Sequence, residues 1–182
     1  MNIYVIRHGR TNNNELGLFN GRNDEDINET GMEQAKEARN ILKNIDIDLI
    51  VCSPMKRAKH TAEIININNI PIIYDNRLME RDTGEITLKP YKAIDREEYW
   101  NYYSTKYKNV ESVSDLLKRV ASFVNEVRTK YKNKNILIVT HNGVSRALYA
   151  YFYGIPTDGK ILKIGTQKTV KLKNIILIKN VN

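Results

Sequence analysis

Cysteine is almost absent from this chain, because Cys52 is the only one. A single cysteine cannot form an internal disulfide, so the chain does not read as a disulfide-stabilised extracellular scaffold. Cys52 ends the apolar run Leu49-Ile50-Val51-Cys52, where a small buried side chain is the ordinary interpretation. We therefore predict a structural thiol and a reducing, cytoplasmic location.

Long apolar segments are also missing. No run approaches the roughly 20 residues that a membrane-spanning helix needs. The N-terminus enters the strand-like run Ile3-Tyr4-Val5-Ile6 without the basic and then hydrophobic segments of a secretory signal. We expect neither membrane association nor export.

Acidic residues are in the minority, since 29 lysines and arginines face 21 aspartates and glutamates, for a net charge of +8. Nucleic-acid-binding proteins concentrate such charge beside aromatic or groove-reading elements. Here the lysines are scattered over predicted helices and the C-terminal strand, which is typical of a solvated surface. We therefore expect no nucleic-acid partner and interpret the excess charge as a field that attracts small anions.

What the sequence does contain is an alternation of strand-like and helix-like segments over 182 residues, with 41% hydrophobic side chains. The predicted strands are Ile3–Ile6, Leu49–Cys52, Ile72–Tyr74, Ile136–Thr140 and Val170–Lys179. The predicted helices are Gly31–Lys43, Met55–Asn66, Tyr91–Tyr107, Asp115–Lys132 and Val144–Gly154. This alternation predicts an α/β fold, a three-layer αβα sandwich around a mostly parallel sheet, in a single domain over residues 1–182.

Local signals mark three of the helix ends. Thr30 and Glu33 form a capping-box pattern that predicts the start of the first helix. Ser114 is the predicted N-cap of the helix that follows it. Gly154 is predicted to end the last helix, because glycine is common just beyond helix C-termini.

Charged or titratable side chains follow directly on four predicted strand ends. The four motifs are Arg7-His8-Gly9-Arg10-Thr11, Ser53-Pro54-Met55-Lys56-Arg57-Ala58, Leu78-Met79-Glu80 and Thr140-His141-Asn142-Gly143. Ligand sites in α/β sheets lie outside the carboxyl ends of strands, so we expect these side chains to meet in one site. A histidine held there beside fixed cations can attack a phosphorus atom.

In this order the motifs resemble those of the histidine phosphatase superfamily, the phosphoglycerate-mutase-like fold, and the resemblance covers almost the whole chain. Asn28-Glu29-Thr30-Gly31 resembles the family's segment before the first helix. Glu111-Ser112 with Arg119 resembles the start of a later family helix. Arg-His-Gly alone is common by chance, but the ordered set of four motifs is not.

The resemblance implies a role for each residue of the central set. His8 would attack phosphorus through a neutral imidazole nitrogen, while the Gly9 carbonyl fixes its tautomer. Arg7, Arg57 and His141 would bind the phosphoryl oxygens, the arginines through planar forks that match phosphate. The expected reaction intermediate is therefore a phosphohistidine.

Glu80 is the implied acid–base group, protonating the leaving oxygen and then activating water. Asn14 and the backbone N–H of Asn142 would add neutral donors, and Asn20 and Gly21 complete the candidate phosphate- and substrate-binding set. With so much fixed positive charge no cofactor is required. The sequence also lacks a carboxylate or histidine cluster with ligand spacing, so we predict no metal site.

Two features leave alternatives open. The aromatic stretch Glu98–Tyr103 lies in a lid-like segment at about residues 85–110. It either stacks on an apolar or heterocyclic part of a substrate, or forms an amphipathic helix that buries Trp100 and Tyr103 in the core. Arg10 stands where the family motif carries Glu or Gln. Inside the pocket it would favour substrates with a second anionic group, whereas outside it would mean little.

The sequence thus predicts a metal-independent phosphomonoesterase that hydrolyses a small phosphorylated metabolite. α-Ribazole phosphate, a sugar phosphate and broad specificity all fit the motifs. A cofactor-dependent phosphoglycerate mutase is the alternative, although the family's mutases carry longer insertions around the site than this short chain. A phosphate-binding pseudoenzyme is a third interpretation, against which the intact nucleophile and acid argue. Oligomeric state is not readable from the sequence.

Overall fold

A five-stranded sheet lies at the centre of the computed structural model, which describes residues 1–103, 106–155 and 157 and the backbone of 175–178. The strands are β1 (Ile3–Arg7), β2 (Leu49–Cys52), β3 (Ile72–Tyr74), β4 (Ile136–Thr140) and β5 (Ile175–Ile178). Their order across the sheet is β3-β2-β4-β1-β5. The first four run parallel and β5 runs antiparallel to β1, which confirms the mostly parallel sheet. The other residues of the predicted strand Val170–Lys179 lie outside the described residues.

Helices connect these strands. Within the described residues they are α1 (Asn12–Glu15), α2 (Glu29–Leu42), α3 (Lys56–Ile65), α4 (Arg96–Tyr99), α5 (Val113–Lys130) and α6 (Asn142–Tyr153). Short 3₁₀ turns occupy Asn76–Leu78, Gly84–Ile86 and Tyr91–Ala93. Over the same residues, no helix combines the length and the apolar character that crossing a bilayer demands.

Successive side chains of the buried strands face two separate cores. In β4, Ile136 and Ile138 pack in the core that contains α5 and α6. Leu137 and Val139 pack in the core that contains α2 and α3. Each such side chain stabilises the fold by about 1.5–3 kcal/mol when fully buried. The period of two, with helices against both faces, confirms the three-layer αβα sandwich.

The start of α2 differs from the prediction. The capping box of Thr30 and Glu33 is wrong, because the helix begins at Glu29 with Asn28 as its N-cap. The Asn28 side-chain oxygen accepts the Gly31 N–H at 3.0 Å. Because the Asn28 amide oxygen accepts this N–H, which has no partner within the helix, the helix begins before Thr30.

The N-cap of α5 is also displaced from its predicted position. Ser114 lies inside the helix, and Ser112 caps it by accepting the Asp115 N–H at 3.0 Å. At the other end of the molecule, Gly154 ends α6 with φ of 90°, a left-handed value that glycine adopts without strain. The predicted end of the last helix is thus confirmed.

The predicted helix Tyr91–Tyr107 is wrong. Its described residues contain only the turn at Tyr91–Ala93 and the four-residue α4. Asp95 interrupts the pattern, since its carboxylate accepts the N–H groups of Glu97 and Glu98 and starts a new helix there. The N-cap formed by Asp95 therefore decides where the helix begins, although the amphipathic pattern predicts a longer helix.

The aromatic residues of this segment divide between core and surface. Trp100 is buried, as the packing interpretation expects, whereas Tyr103 is 71% exposed. The expectation that Tyr103 packs in the core is therefore wrong. Cys52 is fully buried, as predicted, and burial raises the pKa of its thiol to about 12. The thiol is protonated at neutral pH, in keeping with the structural role predicted for it.

A close contact between two glycines fixes the loop after β1 against α2. A Cβ placed on Gly9 would overlap the carbonyl of Gly31, and a Cβ on Gly31 would overlap the backbone of Arg10. The Gly9 N–H donates to the Thr61 hydroxyl on α3 at 3.0 Å. These backbone contacts hold the loop that carries His8 in one position.

Candidate active site

The carboxyl ends of three neighbouring strands meet at one edge of the sheet. The His8 N–H donates to the Thr140 carbonyl at the end of β4 at 2.9 Å. The Ser53 N–H, just after β2, donates to the Val139 carbonyl at 2.9 Å. These ladder bonds bring His8, Ser53 and His141 together, as the strand-end argument predicts.

His8 is held as a neutral imidazole with a defined tautomer. Its Nδ1 lies 2.7 Å from the Gly9 carbonyl, which can only accept, so Nδ1 carries the proton. Nε2 therefore has the lone pair, and it accepts the Arg57 Nε–H at 3.2 Å. Burial, followed by the charges of Arg7 and Arg57, lowers the pKa of His8 well below its usual value, against the opposing effect of the Gly9 hydrogen bond. The ring is a free base at neutral pH.

Arg57 comes from the first turn of α3 and is fully buried. Its Nη1 and Nη2 donate to the carbonyls of Asn23 and Gly21, each at 2.8 Å. With the bond to His8, three of the five guanidinium protons are engaged. Two protons remain for an anion beside the His8 ring.

His141 lies against His8, with ring centroids 5.1 Å apart. Its Nε2 is 2.7 Å from the Ser53 hydroxyl, and its Nδ1 is buried with no hydrogen-bond partner in the described part of the chain. Burial, then the charge of Arg57 and the neighbouring His8, lower the pKa of His141 well below the usual value. Both rings are therefore neutral before an anion binds.

Glu80 follows the turn after β3 and reaches the N-terminus of α6. Its carboxylate accepts the Gly143 N–H at 3.0 Å and the Arg81 N–H at 2.8 Å. A helix N-terminus attracts a carboxylate through its unpaired N–H groups and its dipole. A Cβ on Gly143 would overlap Glu80 Oε1 and lie 3.3 Å from the Trp100 ring. Glycine at position 143 therefore makes room for Glu80.

A partly buried ion pair supports the backbone around Glu80. Arg119 Nε donates to the Glu111 carboxylate at 2.6 Å. The same guanidinium donates to the carbonyl of Arg77 at 2.5 Å and to that of Glu80 at 3.4 Å. The Glu111 and Arg119 pair that the sequence motifs single out therefore fixes the loop that carries Glu80.

These side chains open into a cavity of about 220 Å³. Its lining residues are Arg7, His8, Asn14, Phe19, Asn20, Gly21, Arg57, Glu80, Thr83, Tyr91, Arg96, Tyr99, Trp100 and Asn142. All predicted site residues line it except His141, which is fully buried beside His8. The lining carries three arginines and one carboxylate, so its charge suits a phosphate dianion.

The asparagines of the site differ in how far their amides are already engaged. Asn20 accepts from the Asn13 amide at 2.8 Å and donates to the Thr11 hydroxyl at 2.9 Å, so it shapes the loop it belongs to. Asn14 uses its oxygen to accept the Thr11 N–H at 3.4 Å. Its Nδ2 makes no bond to a described residue and remains a donor at the cavity.

Five lining residues were not predicted individually from the sequence: Phe19, Thr83, Tyr91, Arg96 and Tyr99. Arg96 has a readable signal, because it follows the Asp95 cap and begins α4. The aromatic density of the segment pointed to Tyr91 and Tyr99 only as a group. Phe19 and Thr83 lie in loops whose sequences give no such signal.

Trp100 is stacked between two arginines above this cavity. The Arg81 guanidinium lies 4.2 Å from the Tyr99 ring and 5.2 Å from the Trp100 ring, and Arg146 lies 5.2 Å from Trp100. Buried Arg81 also donates to the Tyr99 carbonyl at 2.6 Å and the Glu111 carbonyl at 2.7 Å. Arg81 thus attaches the α4 segment to the loop after Glu80. Within the described ranges, no three His, Cys, Asp or Glu side chains cluster as metal ligands would.

Named relatives align with most of this chain. The chain is 35% identical over 153 residues to the "Uncharacterized phosphatase PhoE" of Bacillus subtilis, covering 84% of this chain and 77% of the relative. It is 29% identical over 161 residues to "Phosphoserine phosphatase 1" of Hydrogenobacter thermophilus, covering 84% and 76%. Relatives of this similarity share a fold and a reaction type more reliably than a substrate.

The fold also matches solved structures. The α-ribazole phosphatase of Shigella flexneri superposes with a TM-score of 0.75 and 29% identity, covering 86% of this chain and 81% of that one. The sequence profile of the histidine phosphatase superfamily (branch 1) matches residues 3–172. The chain belongs to the histidine phosphatase superfamily and is an enzyme of the histidine phosphatase type.

Proposed function

We propose that the protein is a metal-independent phosphomonoesterase that hydrolyses a small phosphorylated metabolite through a phosphohistidine at His8. The observation that carries the proposal is the unprotonated Nε2 of a buried, neutral His8 held beside Arg57 in a cationic cavity. Its cytoplasmic location is part of the same proposal and is supported by the single buried thiol of Cys52.

In the first step Nε2 of His8 attacks the phosphorus of the bound ester, forming a P–N bond while the P–O bond to the leaving group breaks. Glu80 donates its proton to the departing oxygen. Arginine side chains neutralise the equatorial oxygens, which is the main contribution that a protein makes to phosphoryl transfer. The product alcohol then leaves, and the phosphoryl group stays on His8.

In the second step water attacks the phosphorus and the P–N bond breaks. The Glu80 carboxylate takes a proton from that water, which returns both Glu80 and His8 to their starting states. The hydrogen bonds from Gly143 and Arg81 keep the carboxylate in one place for both transfers. One residue therefore serves as acid and then as base, and the proton count closes over the cycle.

His141 supplies a further donor through its tautomer. The Ser53 hydroxyl oxygen accepts the Met55 N–H at 3.4 Å, which leaves its own proton to donate to His141 Nε2. The ring proton of a neutral His141 then resides on the unpartnered Nδ1. We assign Nδ1–H, the buried Nε–H of Arg7 and the Asn14 amide to the phosphoryl oxygens.

The substrate class follows from the size and lining of the cavity. A volume of about 220 Å³ suits a small metabolite and not a phosphorylated protein or nucleic acid. Two of the named relatives are a phosphoserine phosphatase and an α-ribazole phosphatase, whose substrates have different leaving groups. The shared part, the phosphate monoester, meets the strand-end residues. The remainder of the substrate would meet the aromatic residues around Trp100.

Turnover of p-nitrophenyl phosphate with EDTA present tests this function. We expect undiminished release of phosphate, and a fall of at least about 10³-fold in kcat for His8→Gln, the scale of losing a nucleophile. His60→Gln is the matched control, because His60 lies on the exposed face of α3 beside Asp26 at 3.1 Å. In Glu80→Gln we expect an acid-labile phosphohistidine to accumulate after rapid mixing.

Dependence on added metal would contradict the mechanism, as would an active His8→Gln variant. Phosphoglycerate mutase activity would appear as isomer exchange without release of phosphate. A phosphate-binding pseudoenzyme would bind phosphate monoesters and turn none of them over.

A further inference from the structure

A second cavity, of about 210 Å³, adjoins the first. Four residues line both: Arg7, His8, Asn14 and Tyr91. Arg10 and Gln34 line the second cavity alone. No carboxylate is among its described lining residues, so Arg7 and Arg10 line it without a compensating negative charge of the protein.

The backbone of Arg10 is fixed although its side chain is exposed. Its N–H donates to Gln34 Oε1 at 3.0 Å, and its carbonyl accepts the Asn28 N–H at 2.9 Å. The contact of Gly31 against the same backbone leaves no space for movement toward α2. Arg10 therefore lines the cavity from a rigid backbone, which reduces the entropy lost when its side chain binds a partner.

No carboxylate of the described residues lies within ion-pair distance of Arg10. On α2, Glu33 pairs with Lys36 and not with Arg10, at 2.7 Å between its carboxylate and Lys36 Nζ. Gln34 keeps its amide N–H groups, since only its oxygen is used by Arg10. The cavity therefore presents guanidinium and amide donors to its contents, which is the chemistry of an anion site.

We infer that Arg10, with Arg7 and Gln34, forms a second anion subsite that selects phosphate monoesters carrying another anionic group. This inference rests on the proposed function, because it takes His8 as the centre of reaction. The shared lining places the subsite next to the phosphoryl position, so the second anion belongs to the same substrate molecule. A carboxylate and a second phosphoryl group present the same oxygen chemistry to a guanidinium.

Two matched substrate pairs test the subsite through the release of inorganic phosphate. 3-Phosphoglycerate and glycerol 3-phosphate differ by a carboxylate, and fructose 1,6-bisphosphate and fructose 6-phosphate differ by a phosphoryl group. We expect Arg10→Gln to lower the kcat/KM ratio of at least one pair by about tenfold, the scale of one charge-assisted hydrogen bond. The pair that responds identifies the anion.

Arg39→Gln is the matched control, because Arg39 lies in the last turn of α2 and its replacement removes the same charge. We expect it to leave both ratios unchanged, and Arg10→Gln to retain turnover of p-nitrophenyl phosphate. Equal ratios in the wild type and Arg10→Gln for both pairs would overturn the subsite. So would equal decreases in Arg10→Gln and Arg39→Gln, because only a general field effect would remain.

The two proposals fail in different ways. If the wild type hydrolyses neither p-nitrophenyl phosphate nor any of these esters, the phosphatase mechanism fails, and the subsite is then tested by calorimetric binding alone. In that case the subsite predicts tighter binding of 3-phosphoglycerate than of inorganic phosphate, with the difference lost in Arg10→Gln. Equal binding of the two probes by both proteins would overturn it.

Discussion

The floor and the roof of the main cavity are built in different ways. The floor consists of Arg7, His8, Arg57 and His141. Arg7 ends β1, His8 and His141 directly follow β1 and β4, and Arg57 lies in the first turn of α3. Backbone carbonyls hold its reactive groups, as with Gly9 on His8 at 2.7 Å. Because a backbone carbonyl cannot change rotamer, these contacts hold the His8 and Arg57 side chains in place without substrate.

The roof consists of residues 84–103 and has little regular structure. Its 3₁₀ turns and α4 are each too short to be stable alone. It is fastened by a few bonds to the loop below, such as the Tyr91 N–H on the Gly17 carbonyl at 2.8 Å. Leu88 adopts a left-handed φ of 62°, which costs energy for a residue with a Cβ.

This difference between floor and roof explains how one reaction can be combined with many substrates. In the proposed mechanism the floor contacts the group that every phosphate monoester shares, and backbone carbonyls hold its side chains in place. The roof faces what varies, and its aromatic side chains Tyr99 and Trp100 pack in the core and against the Arg81 guanidinium. We therefore expect changes to the floor to alter kcat and changes to the roof to alter KM.

Apart from loss of the nucleophile itself, the largest effect is expected at Gly143, where floor and roof meet. Gly143→Ala would push the Glu80 carboxylate aside, because the new methyl group occupies the position of Oε1. Displacing a catalytic group by about an ångström costs up to about 100-fold, so we expect kcat for p-nitrophenyl phosphate to fall between about 10- and 100-fold. Thermal unfolding should change little, since the flexible end of Glu80 can yield.

A double-mutant cycle with Glu80→Gln identifies the cause of that loss. Once Glu80 is disabled, Gly143→Ala should cost much less, because residues in contact act non-additively. An additive loss in the double variant would mean that the alanine acts through the helix and not through Glu80.

The next effect concerns stability and pH, and it isolates the floor. His8 and His141 have depressed pKa values in the folded state, whereas in the unfolded chain they titrate at about 6.5. Below about pH 6.5 the unfolded state binds more protons than the folded state, so the free energy of unfolding decreases as the pH falls. The slope is about 1.4 kcal/mol per pH unit for each histidine.

Urea unfolding in phosphate-free buffers from pH 7.5 to 5 measures this slope. We expect His8→Gln to reduce the pH dependence of the unfolding free energy by about one proton, or about 1.4 kcal/mol per pH unit. The double variant with His141→Gln should reduce it further. Identical slopes in all three proteins would show that the two rings bind protons equally in the folded and unfolded states, which would contradict the lowered pKa values.

The smallest effect is expected in the roof. Tyr91 lines both cavities and packs edge-on against Phe19, with ring centroids 4.8 Å apart. Tyr91→Leu removes contacts worth about 0.5–1.5 kcal/mol, so we expect KM to rise about 2- to 10-fold with kcat nearly unchanged. Tyr103→Leu is the control, because Tyr103 is 71% exposed and does not line the cavity. A collapse of kcat in Tyr91→Leu would erase the distinction between roof and floor.

The floor was predictable from sequence because strand periodicity and strand ends are local properties. Apolar runs that end in Arg7-His8 and in His141 predict the carboxyl ends of two parallel strands, where ligand sites lie. The order of the motifs then indicates the family and, with it, the residues of the site. Arg57 follows from its place after a Ser-Pro turn at the end of β2. These residues were placed without knowledge of distant contacts.

The roof was not predictable, because its form depends on contacts distant in sequence. The pattern from Tyr91 to Tyr107 favours one long helix. Instead, the Asp95 cap starts the short α4, and the buried guanidinium of Arg81 binds the Tyr99 carbonyl at its end. Nothing local shows that Arg81 is buried, since arginine is seldom found there. Arg96 reaches the cavity only because α4 begins where it does.

The two glycines that touch between the first loop and α2 also decide where this enzyme can change. Gly9 and Gly31 meet through backbone alone, so neither accepts a side chain and neither can compensate for a change in the other. Arg10 is pinned by the same contact at its backbone, yet its side chain projects from it freely. Its charge, length or shape can therefore be exchanged without disturbing the neighbouring histidine. Position 10 is the natural starting point for redesigning selectivity, or for evolving it.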